Sequence, residues 1–173
     1  MDLKQEIKSI ILAPSEAGNN RMIGIELEDF IYDKNSRRIP VNPGNEYSAS
    51  DLIKNLIDLQ VNDKYKAYYS IEPGGQIEWA STPRRSLHDV QVELNNHQKR
   101  LKTALTTHQL EIIDVSVEPI YLPNEIDFID HEKYELMHKL FLQTGKHGPW
   151  MMRNTTSIQV NIDIISKTDA EEM

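Results

Sequence analysis

The spacing of apolar side chains changes several times along the chain. Leu3, Ile7, Ile10 and Ile11 recur at helical intervals, and Pro14 with Gly18-Asn19-Asn20 stops the run, which predicts a helix over residues 3–12 and then a loop. From Ile23 the period becomes two. Ile23, Ile25 and Leu27 alternate with Gly24, Glu26 and Glu28, the pattern of a half-buried strand whose two glutamates share one face. Leu52, Ile53, Leu56, Ile57 and Leu59 mark a second helix, entered through a cap between Ser48 and Asp51. Tyr65 to Glu72 and Gln76 to Ser81 read as a hairpin turned by Pro73-Gly74-Gly75, where glycine tolerates a positive φ. Ser86 fits the opening of a long amphipathic helix through Leu87, Val90, Leu94, Leu101 and Leu105, with Glu93, Lys99 and Lys102 expected on its solvent side. Glu111 to Glu118 predicts a strand ended by prolines, and Tyr134, Met137 and Phe141 predict a helix ending before Gly145 and Gly148. In the last segment Ile158, Val160, Ile162 and Ile164 face one way, expected to be core. Thr155, Ser157, Gln159, Asn161 and Asp163 face the other. Helices interspersed with hairpin-linked strands predict an α+β fold with a mainly antiparallel sheet and helices packed on one face.

Composition narrows what such a fold can do. At 173 residues, 39% apolar and 27% charged, the chain suits one globular domain. No apolar run approaches the roughly 20 residues that span a bilayer, so no membrane partner is expected. A net charge of −8 and a pI near 5.2 oppose nucleic-acid binding through a basic field. Without cysteine there is no thiol nucleophile and no disulfide, which leaves carboxylates, histidine, arginine or a hard cation to carry any chemistry. The start lacks the basic and apolar stretches of a secretory signal, so a cytoplasmic location is the expectation.

Strand parity supplies the candidate site. Glu26 and Glu28 project from one face of their strand, and Glu72 and Glu78 flank the glycine turn with Ser70 and Gln76 on their side. Four carboxylates converging on one sheet face, beside Gln159 or Asn161, suit Mg²⁺, which prefers oxygen ligands and binds phosphate at the same time. Each element alone has an ordinary explanation. A Glu-x-Glu strand is commonly a solvated face, and Gly-Gly is commonly only a turn.

Three segments together resemble the plant and proteobacterial type of glutamate–cysteine ligase: Ile23 to Glu28, Ile71-Glu72-Pro73-Gly74-Gly75-Gln76-Ile77-Glu78, and Thr155 to Asp163. The resemblance implies a glutamine-synthetase-like fold and an ATP-dependent reaction. In it Mg²⁺ holds ATP, and the γ-carboxylate of glutamate joins the amine of cysteine through a γ-glutamyl phosphate. It makes Glu26, Glu28, Glu72 and Glu78 metal-site residues, and Gln76, Gln159 and Asn161 cofactor contacts. The family places an arginine directly before the threonine that opens the last strand. Here Asn154 separates Arg153 from Thr155, and Arg153 takes the catalytic role; Lys167 also stands where an acidic residue is usual.

The family's chains continue well beyond this strand. Residues 1–173 are therefore expected to be the amino-terminal part of a single catalytic domain with its carboxy-terminal remainder absent, self-associating through an exposed sheet edge. Two alternatives share these features: a ligase of the same scaffold with another amine acceptor, and a non-catalytic binding or regulatory module. Other candidates are weaker. Glu135 and His138 lack a second such pair, Arg84-Arg85 reads equally as a basic loop, and Trp79 and Trp150 read as core.

Overall fold

A computed structural model describes residues 2–12 and 21–172 of the protein. The loop expected between Pro14 and Asn20 lies outside them. Helix α1 (Leu3–Leu12) forms where its spacing predicts, with Leu3, Ile7 and Ile10 exposed.

The sheet is organised around β1 (Ile23–Asp33), an 11-residue strand long enough to take three antiparallel neighbours. β2 (Tyr68–Ile71) and β3 (Ile77–Ala80) form the expected hairpin, and β3 pairs with residues 26–29 of β1. On the opposite edge, β5 (Ile158–Ile162) pairs with residues 23–27 and β4 (Leu110–Ile113) with residues 30–33. β4 and β5 thus follow one another along the same edge of β1. The strand expected from Glu111 to Glu118 is cut to four residues. Beyond it, residues 115–118 run beside residues 154–156 through Thr156 N–H to Ser116 C=O (3.1 Å) and Glu118 N–H to Asn154 C=O (2.9 Å).

The odd-numbered face of β1 carries Ile25, Leu27 and Ile31 into a core with Tyr69, Ile77 and Trp79 of the hairpin, covered by α2 (Ala49–Leu59) and α3 (Leu87–His108). α2 opens with a full capping box: Ser48 Oγ accepts from Asp51 N–H (3.3 Å) and Asp51 Oδ2 accepts from Ser48 N–H (3.1 Å). α3 presents Val90, His97, Leu101, Ala104 and Leu105 as one buried stripe. Trp79 is fully buried as expected, whereas Trp150 is half-buried.

Two expectations require correction. Glu93 is buried, not solvated, because its carboxylate accepts from Thr82 N–H (3.0 Å) and is paired with Arg84, so desolvation is compensated. The apolar side of β5 is not core: Ile158, Val160 and Ile162 are 74%, 57% and 40% exposed, because no described element lies over them. The predicted helix after Tyr134 is α4 (Glu132–Thr144). Two further helices form, α5 (Gly148–Arg153) and α6 (Lys167–Glu172).

Candidate active site

Register places the four glutamates on the even-numbered face, away from α2 and α3. Directly opposed residues of an antiparallel pair point the same way, and Glu28 opposes Glu78, which opposes Ser70; Glu26 opposes Gln159, and Gly24 opposes Asn161. Glu72 follows β2 with the same parity. Its N–H donates to Gln76 C=O (2.9 Å), and Gly75, with φ of +82°, closes the turn by donating to Glu72 C=O (2.8 Å).

The carboxylates differ in what holds them. Glu26 accepts from Asn161 Nδ2 at 2.9 Å. Glu28 accepts from Ser157 N–H (3.1 Å), Ser157 Oγ (2.9 Å) and Gln159 Nε2 (3.4 Å). Glu78 accepts from Ser70 Oγ at 2.5 Å. Glu72 has no such donor among the described residues. Burial, then the charges of Glu78 and Glu28, raise its carboxyl to about 7, against an opposing pull from Lys133. Burial also raises Glu28, with Glu78 adding to it and the Ser157 hydrogen bond opposing. The first turn of α4 stands close by, since the Tyr134 phenol is raised by burial and by the charges of Glu72 and Glu78. Lys133 and Tyr134 were not singled out in the sequence, where only a helix was visible.

Gln76 and Arg153 are placed differently. Gln76 is buried, with its amide oxygen accepting from Gly74 N–H (3.1 Å) and Nε2 donating to Thr155 C=O (2.8 Å). Arg153 lies over the Phe128 ring (4.2 Å to its centroid) and donates to Pro123 C=O (2.8 Å). Burial lowers its guanidinium, with Asp127 opposing. The hairpin tip packs so tightly here that a Cβ on Gly74 would stand 2.5 Å from the Arg153 carbonyl oxygen, which only glycine avoids. Arg38 fastens the same turn from the other side, donating to Gly74 C=O at 2.7 Å.

The donor set is all oxygen and the charge is concentrated, as a hard divalent cation requires. As they lie, no three acidic or histidine side chains among the described residues are close enough to hold one ion. Glu26, Glu28 and Glu78 are instead turned toward Asn161, Ser157 and Ser70. The face is an open acidic surface, not a closed coordination shell.

Residues 22–172 match the sequence profile of glutamate-cysteine ligase family 2. The chain belongs to this family. The chloroplastic glutamate–cysteine ligase of Medicago truncatula is 26% identical over 96% of the chain and 34% of its own length, and ligase B of Oryza sativa subsp. japonica is 25% identical over 96% and 35%. The Nicotiana tabacum ligase is 30% identical over 60% of the chain and 20% of its own length. The chain therefore spans about a third of the ligases that it matches along nearly all of its length. The match takes in β1, the hairpin strands β2 and β3, and β5, the four strands that build the acidic face.

Proposed function

We propose that this chain forms the magnesium-binding wall of an ATP-dependent ligase. The enzyme would join the γ-carboxylate of glutamate to the amine of cysteine through a γ-glutamyl phosphate. The observation that carries the reading is the convergence of Glu26, Glu28, Glu72 and Glu78 on one open sheet face of a chain that belongs to the family. Bound Mg²⁺ would offset the charge of the phosphoryl group in transfer.

The residues of the chain act around that centre. Glu72, lacking a donor and crowded by like charges, is half protonated near neutrality and gives up its proton when positive charge enters. Asn161 and Gln159 hold Glu26 and Glu28 from β5 through their side-chain amide N–H groups, and on that face they would also contact the nucleotide. Gln76 and Arg153 serve from behind, fixing the Gly74 turn and the backbone from Met152 to Thr155. In the reaction the glutamate γ-carboxylate oxygen attacks the terminal phosphorus of ATP and ADP leaves. The neutral amine then attacks the acyl carbon, phosphate leaves, and the nitrogen loses a proton.

The test is Glu72→Gln or Glu78→Gln in the complete polypeptide, followed by phosphate release with glutamate and cysteine. Loss of at least about 100-fold in turnover with the melting temperature kept is the expected result. Turnover equal to wild type in either variant contradicts the assignment.

A further inference from the structure

Edge strands normally carry something that keeps a second chain from pairing with them: a charge, a proline or very few residues. β2 and β4 do. β2 has four residues and follows Lys64 and Lys66, and β4 has four residues, one of them Glu111. β5 has no such guard. Its five residues, Ile158-Gln159-Val160-Asn161-Ile162, hold no charge and no proline, and neither do residues 154–157 before them. All five are exposed.

Backbone parity determines which groups on this strand are free. Glu28 N–H donates to Ser157 C=O (3.1 Å) and Asp163 N–H to Met22 C=O (3.0 Å), at the two ends of the β1–β5 ladder. Hydrogen-bonded and non-hydrogen-bonded pairs alternate along an antiparallel ladder. The N–H and C=O groups of Gln159 and Asn161 therefore also turn toward β1, and those of Ile158, Val160 and Ile162 turn away from it. Among the described residues nothing pairs with these outward groups.

The residues with outward backbone groups are also the apolar ones, and they are spaced evenly about Val160. A strand of this pattern complements itself. We propose that β5 is a homodimer interface, pairing edge to edge and antiparallel with β5 of a second copy about a twofold axis at Val160. Val160 then faces Val160 of the partner subunit and Ile158 faces Ile162 of the partner subunit, each pair exchanging two backbone hydrogen bonds. A register shifted by one residue would set outward groups against inward ones, and a shift by two would leave an isoleucine opposite a residue outside β5. On the other side of the strand Gln159 meets Asn161 of the partner subunit, amide against amide. Both copies turn their glutamates to that side, so the two acidic faces become neighbours on one continuous sheet. Charge opposes the contact, since each copy carries a net −8, and salt therefore tightens it. An isologous contact of this kind closes at two copies. The interface rests on the backbone of β5 and does not depend on the ligase reading.

Sedimentation and amide hydrogen exchange on the 173-residue protein and on Val160→Pro test this. Proline removes the outward N–H at the centre of the edge and spares the bonds to β1, which belong to Gln159 and Asn161. Between about 10 µM and about 1 mM the wild type should pass from monomer to dimer and no further, more tightly at about 0.5 M than at about 0.1 M NaCl. Over the same range amide exchange at Ile158, Val160 and Ile162 should slow by about tenfold or more, with little change at Gln159 and Asn161. Val160→Pro should weaken dimerisation by about tenfold or more. A wild type that stays monomeric, growth beyond the dimer, unchanged dimerisation in Val160→Pro, or a dimer in which the three outward amides exchange as fast as in the monomer would each overturn the proposal.

Discussion

Glu118 and Glu72 are both partly or wholly buried carboxylates within one fold, and their surroundings are opposites. Glu118 accepts from Tyr32 Oη (2.6 Å), Arg38 Nη1 (2.7 Å), Ile120 N–H (3.0 Å) and Tyr121 N–H (3.3 Å). Burial alone would raise it, but the Tyr32 and Arg38 bonds prevail and hold it below the usual carboxylate range. Glu72 has like charges where Glu118 has donors, and is pushed up to about 7. A carboxylate that the fold has satisfied is structural. One that the fold leaves unsatisfied, on an open face, is kept for something that arrives from outside. The contrast separates two acids that look alike in sequence.

The largest effect expected is on the satisfied acid. Arg38→Met leaves Glu118 fully buried without its cation and should destabilise the protein by about 3–5 kcal/mol, measured by denaturant unfolding. A change under about 1 kcal/mol would mean that the pair contributes little and that the comparison fails on its structural side.

Opposite pH dependence comes next. Glu118, with its folded pKa lowered, stabilises above its unfolded value near 4.5, and that stability is lost as pH falls through the folded pKa. Glu72, with its folded pKa raised to about 7, contributes stability below about 4.5 that is lost as pH rises through 7. Without a divalent cation, Glu72→Gln should therefore flatten the decline between about pH 4.5 and 7. At about pH 8 it should leave the variant more stable than wild type by on the order of 1 kcal/mol. Thermal unfolding across that range checks both sign and window, and an unchanged slope would show that Glu72 is not electrostatically stressed.

A smaller effect belongs to Glu78, which has a single side-chain donor among the described residues. Ser70→Ala removes it and should change stability by about 0.5–1.5 kcal/mol, measured by thermal unfolding. The mildest expectation concerns β5. Its apolar side is open and its outer edge is unpaired among the described residues, so the protein should self-associate at high concentration, and Val160→Lys should weaken that association. Sedimentation of both forms measures it; a wild type that stays monomeric removes this expectation.

Much of this arrangement was legible because strand parity is strict. Once Ile23 to Leu27 and the Pro73-Gly74-Gly75 turn are recognised, the common face of Glu26, Glu28, Glu72 and Glu78 follows from the two-residue period alone. The same logic missed Glu93, because helical periodicity says which side a residue is on but not that Arg84 and Thr82 fold back to meet it. It missed the exposure of Ile158 and Val160, since an apolar stripe states what it needs covered and not what covers it. That β4 and β5 share one edge of β1 was not legible either, because no local pattern encodes a long-range pairing.

The central claim is that the acidic face is a divalent-cation site governed by Glu72. Its most direct test is a carboxyl-carbon NMR titration of Glu72 with and without Mg²⁺. The account expects a midpoint near 7 in the free protein, lowered by at least about one pH unit as Mg²⁺ is added, with a proton released on binding at neutral pH that is lost in Glu72→Gln. A midpoint that stays at its free value under saturating Mg²⁺ would contradict it.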